Sequence, residues 1–222
     1  MTFSPVNNKL KRYLNNIVLK QEYSIASEAK RVFYTLQKIE WYKKMGYQIN
    51  LPGELKLADP KKIIATNVKK IVSREYGVGE YKKTKLMIKS SWDKISREFA
   101  ASLLAVGLKP EPFYMVLLTK YGVGGSYNLP NHIILNFRGK SSKELAKTIM
   151  HEIIHLLIEP LIKRHKISHW AKERIADLIL FRIVPNLATM QHLPIKTKGI
   201  DKIFNNLFPN IDKIIKNTEI QK

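Results

Sequence analysis

His151-Glu152-Ile153-Ile154-His155 is an H-E-x-x-H segment. On a helix, residues four apart differ by about 40° around the axis and one turn along it. Both imidazoles then point the same way and can bind one zinc ion. Glu152, rotated by about 100°, faces the metal's water rather than the metal. Zinc lowers the pKa of such a water to about 7. A carboxylate at position 152 can take that proton and return it to a leaving amine, as general acid–base catalysis of hydrolysis requires. With 6 His and 13 Glu in 222 residues, the pattern has a chance expectation of about 0.01.

Catalytic zinc usually takes three protein ligands and keeps one position open, so a third ligand must come from another segment. Glu173 is the best placed, 18 residues after His155 and on the next expected helix. Pro160 and the chain around it give room to reverse direction between the two helices. Asp177 follows Glu173 by four residues, on the same face. It can accept the free N–H of a ligand histidine and so fix the ring's orientation. His165 and His169 flank the start of that second helix and are the alternative third ligands. His132 reads as a strand residue with no metal role.

The set His151-Glu152-x-x-His155 followed by Glu173-Arg-Ile-Ala-Asp177 resembles the gluzincin metallopeptidases, the thermolysin-like zincins. The resemblance covers residues 112–185, about a third of the chain. Its His-to-Glu gap is slightly shorter than is common in the family. It implies His151, His155 and Glu173 as zinc ligands, Glu152 as base and Asp177 as support for a ligand ring. It also implies an α+β, zincin-like fold, with a small mixed sheet beside the motif helix. An edge strand of that sheet lines the cleft, and here it would be residues 132–137. The run Gly124-Gly125-Ser126-Tyr127 would then sit near the cleft, with Gly124, Gly125 and Tyr127 as substrate-binding residues. A Tyr or His often stabilises the oxyanion in the family, which makes Tyr127 and His192 the candidates.

The elements that must position these residues follow from pattern and punctuation. Residues 7–46 read as one or two basic helices carrying Tyr13, Tyr23, Phe33, Tyr34, Trp41 and Tyr42, with Gly46 as a stop. Residues 47–57 alternate around Pro52-Gly53 and suit a short strand, a hairpin or a linker. A helix capped by Asp59 runs to about Arg74. The Gly- and Lys-rich residues 76–85 read as a loop. They divide the chain into a mainly helical N-terminal extension (1–85) and a zincin-like part (86–222), or mark a feature within one continuous domain.

Apolar residues at helical spacing predict a helix over 90–106, ended by Gly107. Residues 113–119 and 132–137 are the expected strands, with a glycine turn at 122–125. Ser141-Ser-Lys-Glu144 is a capping box that opens the motif helix, and Pro160 ends or kinks it. Ser168 caps the next helix, which Pro185 closes. Short helices follow around 200–207 and 211–215.

Composition narrows the function classes. The chain is 45% apolar and 26% charged, a globular balance. Its lack of cysteine excludes disulfides, thiolate metal sites and a cysteine nucleophile. No signal-like segment or spanning helix is visible, so a cytoplasmic protein is the expectation. The formal charge of +21 comes mostly from 31 Lys, beside 27 Ile and 14 Asn. That excess fits AT-rich coding as well as selection for an anionic partner. Two functions follow. One is a zinc metallopeptidase acting on a peptide or protein substrate. The alternative is a protein that binds nucleic acid or an anionic surface, with a structural or inactive zinc site.

Overall fold

A computed structural model describes residues 16–56, 59–60, 63–187 and 189–219. Among them the chain forms an α+β fold with eight α-helices and one four-stranded sheet. The strands are β1 (Val18–Glu22), β2 (Phe113–Thr119), β3 (Gly125–Asn128) and β4 (His132–Asn136). The helices are α1 (Ile25–Gln37), α2 (Ile39–Lys44), α3 (Ala65–Glu75), α4 (Val78–Ala105), α5 (Ser142–Arg164), α6 (His169–Ile183), α7 (Lys198–Leu207) and α8 (Ile211–Glu219). No described helix is long and apolar enough to cross a membrane.

The sheet order is β1-β2-β4-β3, with β1, β2 and β4 parallel and β3 antiparallel to β4. Alternation decides which face is covered. Tyr114, Val116 and Leu118 of β2 and Ile133 and Leu135 of β4 are buried. They face the core formed with α4 and α5, where Phe99, Leu103, Ile149 and Ile153 pack. A smaller core joins Val32 and Leu36 of α1 to Val68 and Val72 of α3.

Helix α5 is buried from Ile149 through Leu156. A helix apolar on all sides belongs inside a core, and this one carries His151, Glu152 and His155 into it. Ser141 and Glu144 form the capping box that the sequence predicts.

Several expectations are corrected. Residues 18–22 are not helical: β1 pairs with β2 from Val18↔Phe113 to Glu22↔Leu117. Residues 78–85 are not a loop but the first turns of α4, so the division at residue 85 falls inside a helix. Tyr81 explains this, since it is fully buried and donates its hydroxyl to Glu28 of α1. Burial of Glu28 holds its pKa up, while Thr119 Oγ1 at 2.5 Å and Lys120 N at 2.9 Å stabilise the carboxylate. Helix α3 begins at Ala65, after Ile64 in extended conformation. Helix α5 passes through Pro160 to Arg164, although proline removes one helix hydrogen bond. Strand β4 is interior, and β3 is the edge. Tyr13 and the other expected helical residues before Asn16 lie outside the described residues.

Candidate metal centre and cleft

The centre is built by two neighbouring helices. His151 and His155 stand one turn apart on α5, and Glu173 projects from α6. His155 Nε2 lies 2.9 Å from His151 Nε2. Glu173 Oε2 is 3.3 Å from His151 Nε2 and 3.2 Å from His155 Nε2. Three lone-pair donors therefore converge on one point. Ligands at the usual zinc–nitrogen distance in a tetrahedron are about 3.3 Å apart, so this buried donor triangle fits zinc. Among the described residues it is the one group of three His or carboxylate side chains with metal-holding geometry.

The surroundings orient the ligands. Asp177 Oδ1 is 3.3 Å from His151 Nδ1, an ion-pair distance rather than a well-aligned hydrogen bond. Asp177 is held by Gln191, whose backbone N–H and Nε2 donate to it at 2.9 and 3.1 Å. Tyr127 stacks on the His155 ring, with centroids 5.1 Å apart and planes at 15°. Its hydroxyl donates to Glu159 at 2.5 Å and accepts from Lys172 at 2.9 Å.

Glu152 is not one of the three donors, but it lines the same cleft. Its carboxylate lies against Gly125 of β3, where any Cβ would strike it and would sit 2.7 Å from the Thr148 methyl. Burial pushes Glu152 up to about 7, with Glu173 adding to the rise and His151 opposing it. A carboxyl poised there suits a base working near neutral pH.

One cleft of about 1020 Å³ is lined by His151, Glu152, His155, Glu173, Tyr127 and the glycine pair Gly124 and Gly125. The opposite wall is aromatic. Tyr47 stacks between Trp41 and Trp170, at 5.9 and 5.7 Å, and its hydroxyl is 2.6 Å from His169 Nε2. Burial raises the Tyr47 pKa well above its usual value, and the charges of Glu173 and Glu152 add to it.

Three sequence candidates fall elsewhere. His192 is exposed and does not line the cleft, because the turn after α6 delivers Gln191 instead. His165 pairs with Glu219 Oε2 at 3.0 Å, at the far end of α5. His169 reaches the cleft but faces Tyr47, not the donor triangle. His132 is exposed at the start of β4. The aromatic wall escapes sequence reasoning, since Tyr47 and His169 are 122 residues apart and no local pattern links them.

The two ring pKa values move in opposite directions. Burial alone would lower His151, but its contacts with Asp177 and Glu173 win and raise it to about 10. Burial and the charge of His151 lower His155 to about 4. Between those limits the metal-free pair holds one proton. Because the folded value of His151 exceeds its ordinary value of 6.5, its stabilising effect is full below pH 6.5 and is lost as pH rises through about 10. His155 acts in the other sense and costs stability as pH falls from 6.5 towards 4. A metal must displace the shared proton. Zinc binding at pH 6, below the pKa of about 7 of a zinc-bound water, is expected to release about one proton per site, with affinity rising about tenfold per pH unit there. Calorimetry in two buffers of different ionisation heat measures it. Identical heats would mean that the rings are already neutral.

No protein-family model, curated protein or solved structure matches the chain.

Proposed function

We propose that the chain is a zinc-dependent peptidase of the zincin type, with His151, His155 and Glu173 as metal ligands. The single observation that carries this is the convergence of those three donors, with a further acid, Glu152, held beside them in the same cleft but outside the donor group. A purely structural site has no use for such an acid. Zinc held there supplies Lewis acidity and a water acidified to a pKa of about 7.

The chain's own groups account for the rest. Strand β3 offers a free edge beside the centre. Asn136 N–H donates to Gly124 O, so antiparallel alternation turns the backbone groups of Gly125 and Tyr127 outward. An extended peptide can pair with that edge. Glu152 takes a proton at its carboxylate and delivers it to the leaving amine. Tyr47, supported by His169, presents a hydroxyl to the cleft as oxyanion donor. Tyr127, already bonded to Glu159 and Lys172, holds the His155 ring in place.

The test is digestion of a peptide library by zinc-loaded protein, with products read by mass spectrometry. Cleavage that a chelator stops and zinc restores is the expected result. Failure to cleave any member of a broad library, with zinc bound, would overturn the peptidase assignment.

A further inference from the structure

A second cavity of about 550 Å³ lies on the other face of the sheet. It shares Tyr34, Tyr42, Ser126, Tyr127 and Asn128 with the cleft, so the two spaces meet across the edge strand β3. Arg31 of α1 lines it and is only 4% exposed. Its Nε and Nη2 are buried without a hydrogen-bond partner, and so is Ser126 Oγ beside the same space. Among the described residues no carboxylate forms an ion pair with Arg31. The acid one turn earlier, Glu28, is already committed to Tyr81, Thr119 and Lys120.

A buried guanidinium without a counter-ion is unfavourable, which is why buried charges are normally paired. Burial holds the Arg31 pKa below its ordinary value, yet a guanidinium stays charged at any working pH. Gly122 makes the position possible. It has φ +81, and a Cβ there would collide with the guanidinium. The charge of Glu152 and the Tyr42 hydroxyl favour the guanidinium, but neither reaches Nε or Nη2, so these donors and the Ser126 hydroxyl beside the same space have no contacting anion among the described residues.

The edge strand says which anion. Side chains of a strand alternate between the two faces of its sheet. Along β3, Gly125 and Tyr127 face α5, whereas Ser126 and Asn128 face the second cavity. A peptide paired with β3 alternates in the same way, so one of its positions projects into the cavity of Arg31. We infer that Arg31, with Ser126, is a specificity site that binds a carboxylate of the extended substrate. The carboxylate belongs to an acidic side chain or to the peptide's C-terminus. This rests on the peptidase assignment above only for the identity of the ligand as a substrate.

Two measurements test it. In the first, zinc-loaded wild type cleaves Asp-containing peptides at least tenfold better in kcat/KM than their Asn twins, or free-acid peptides at least tenfold better than amidated ones. The first pair reports a side-chain carboxylate and the second a C-terminal one. In Arg31→Met the ratio falls to about one. A preference that survives in Arg31→Met, or wild type indifferent to both pairs, overturns the site.

The second uses Glu152→Gln protein and anisotropy of a labelled acidic peptide. Binding at least tenfold tighter than that of the neutral twin, lost on adding Arg31→Met, is expected. Equal or absent binding overturns the site. Carboxylate-dependent binding without hydrolysis by wild type would overturn the peptidase assignment alone. Arg31→Met should melt no lower than wild type without peptide. A large fall would mean that the guanidinium is satisfied within the protein, and would also overturn the proposal. Arg31→Lys, which keeps the charge but not the fork, should retain only part of the preference.

Discussion

Glu152→Gln protein is expected to hold about one zinc per chain and to hydrolyse peptides about 10²- to 10⁴-fold more slowly than wild type, the usual contribution of a positioned general acid or base. The two halves of this expectation have separate causes. The metal is retained because Glu152 contributes no atom to the triangle of His151 Nε2, His155 Nε2 and Glu173 Oε2. Activity is lost because an amide cannot accept the proton that a carboxyl held up to about 7 by burial can accept. Glutamine matches glutamate in size, so the close fit against Gly125 and Thr148 survives. Removing a buried charge should also leave the metal-free variant at least as stable as wild type. Elemental analysis and steady-state kinetics on the same preparation check both halves. Full activity in the variant would exclude Glu152 as the base. Loss of zinc along with activity would instead make Glu152 part of the metal site.

The two parts of the site were unequally legible in the sequence. The start of the motif helix is legible to within a residue, because a capping box fixes it and helical periodicity fixes the common face of His151 and His155, whereas its end is not, since the helix runs through Pro160 to Arg164. Glu173 and Asp177 were readable for the same reason, one helix later. The edge strand was not. Gly125-Ser126-Tyr127-Asn128 is poor in strand-forming residues, and only pairing with β4 makes it a strand. The more hydrophobic residues 132–137 read, by the family resemblance, as the substrate-facing strand. Yet β4 is paired on both edges, by β2 and β3, and its hydrophobicity reports the burial of Ile133 and Leu135 in the core.

Strand β1 was hidden for a related reason. It is five residues long, carries Lys20 and Glu22 outward, and is defined by a partner about 95 residues away in sequence. The start of α4 was hidden by Gly77 and Gly79, where burial of Tyr81 overrides weak helix propensity. Arg31 carries no signal of its own. A lone arginine in a basic helix looks solvated until the fold closes over it.

The second large effect separates the ligand from its support. Suppose wild type is given zinc at a thousand times its dissociation constant. The stabilisation is then about 4 kcal/mol, or a rise of about 8–16 °C in melting temperature for a chain of this size. In His151→Ala only His155 and Glu173 remain of the donor triangle. The zinc-dependent rise should vanish, together with bound metal and hydrolysis. Asp177→Ala leaves all three donors and removes only the group that orients His151. Affinity should fall about 10–100-fold, which at the same zinc concentration trims the rise by about 3–11 °C without abolishing it.

Absolute melting temperatures would mislead here. Deleting His151 leaves Glu173 and Asp177 buried without their shared partner, which alone destabilises strongly. The quantity that discriminates is the difference with and without zinc inside each variant, by scanning calorimetry. A rise in His151→Ala equal to that of wild type would place the metal elsewhere. An unchanged rise in Asp177→Ala would mean that the geometry of His151 is fixed by α5 itself and needs no acid behind it.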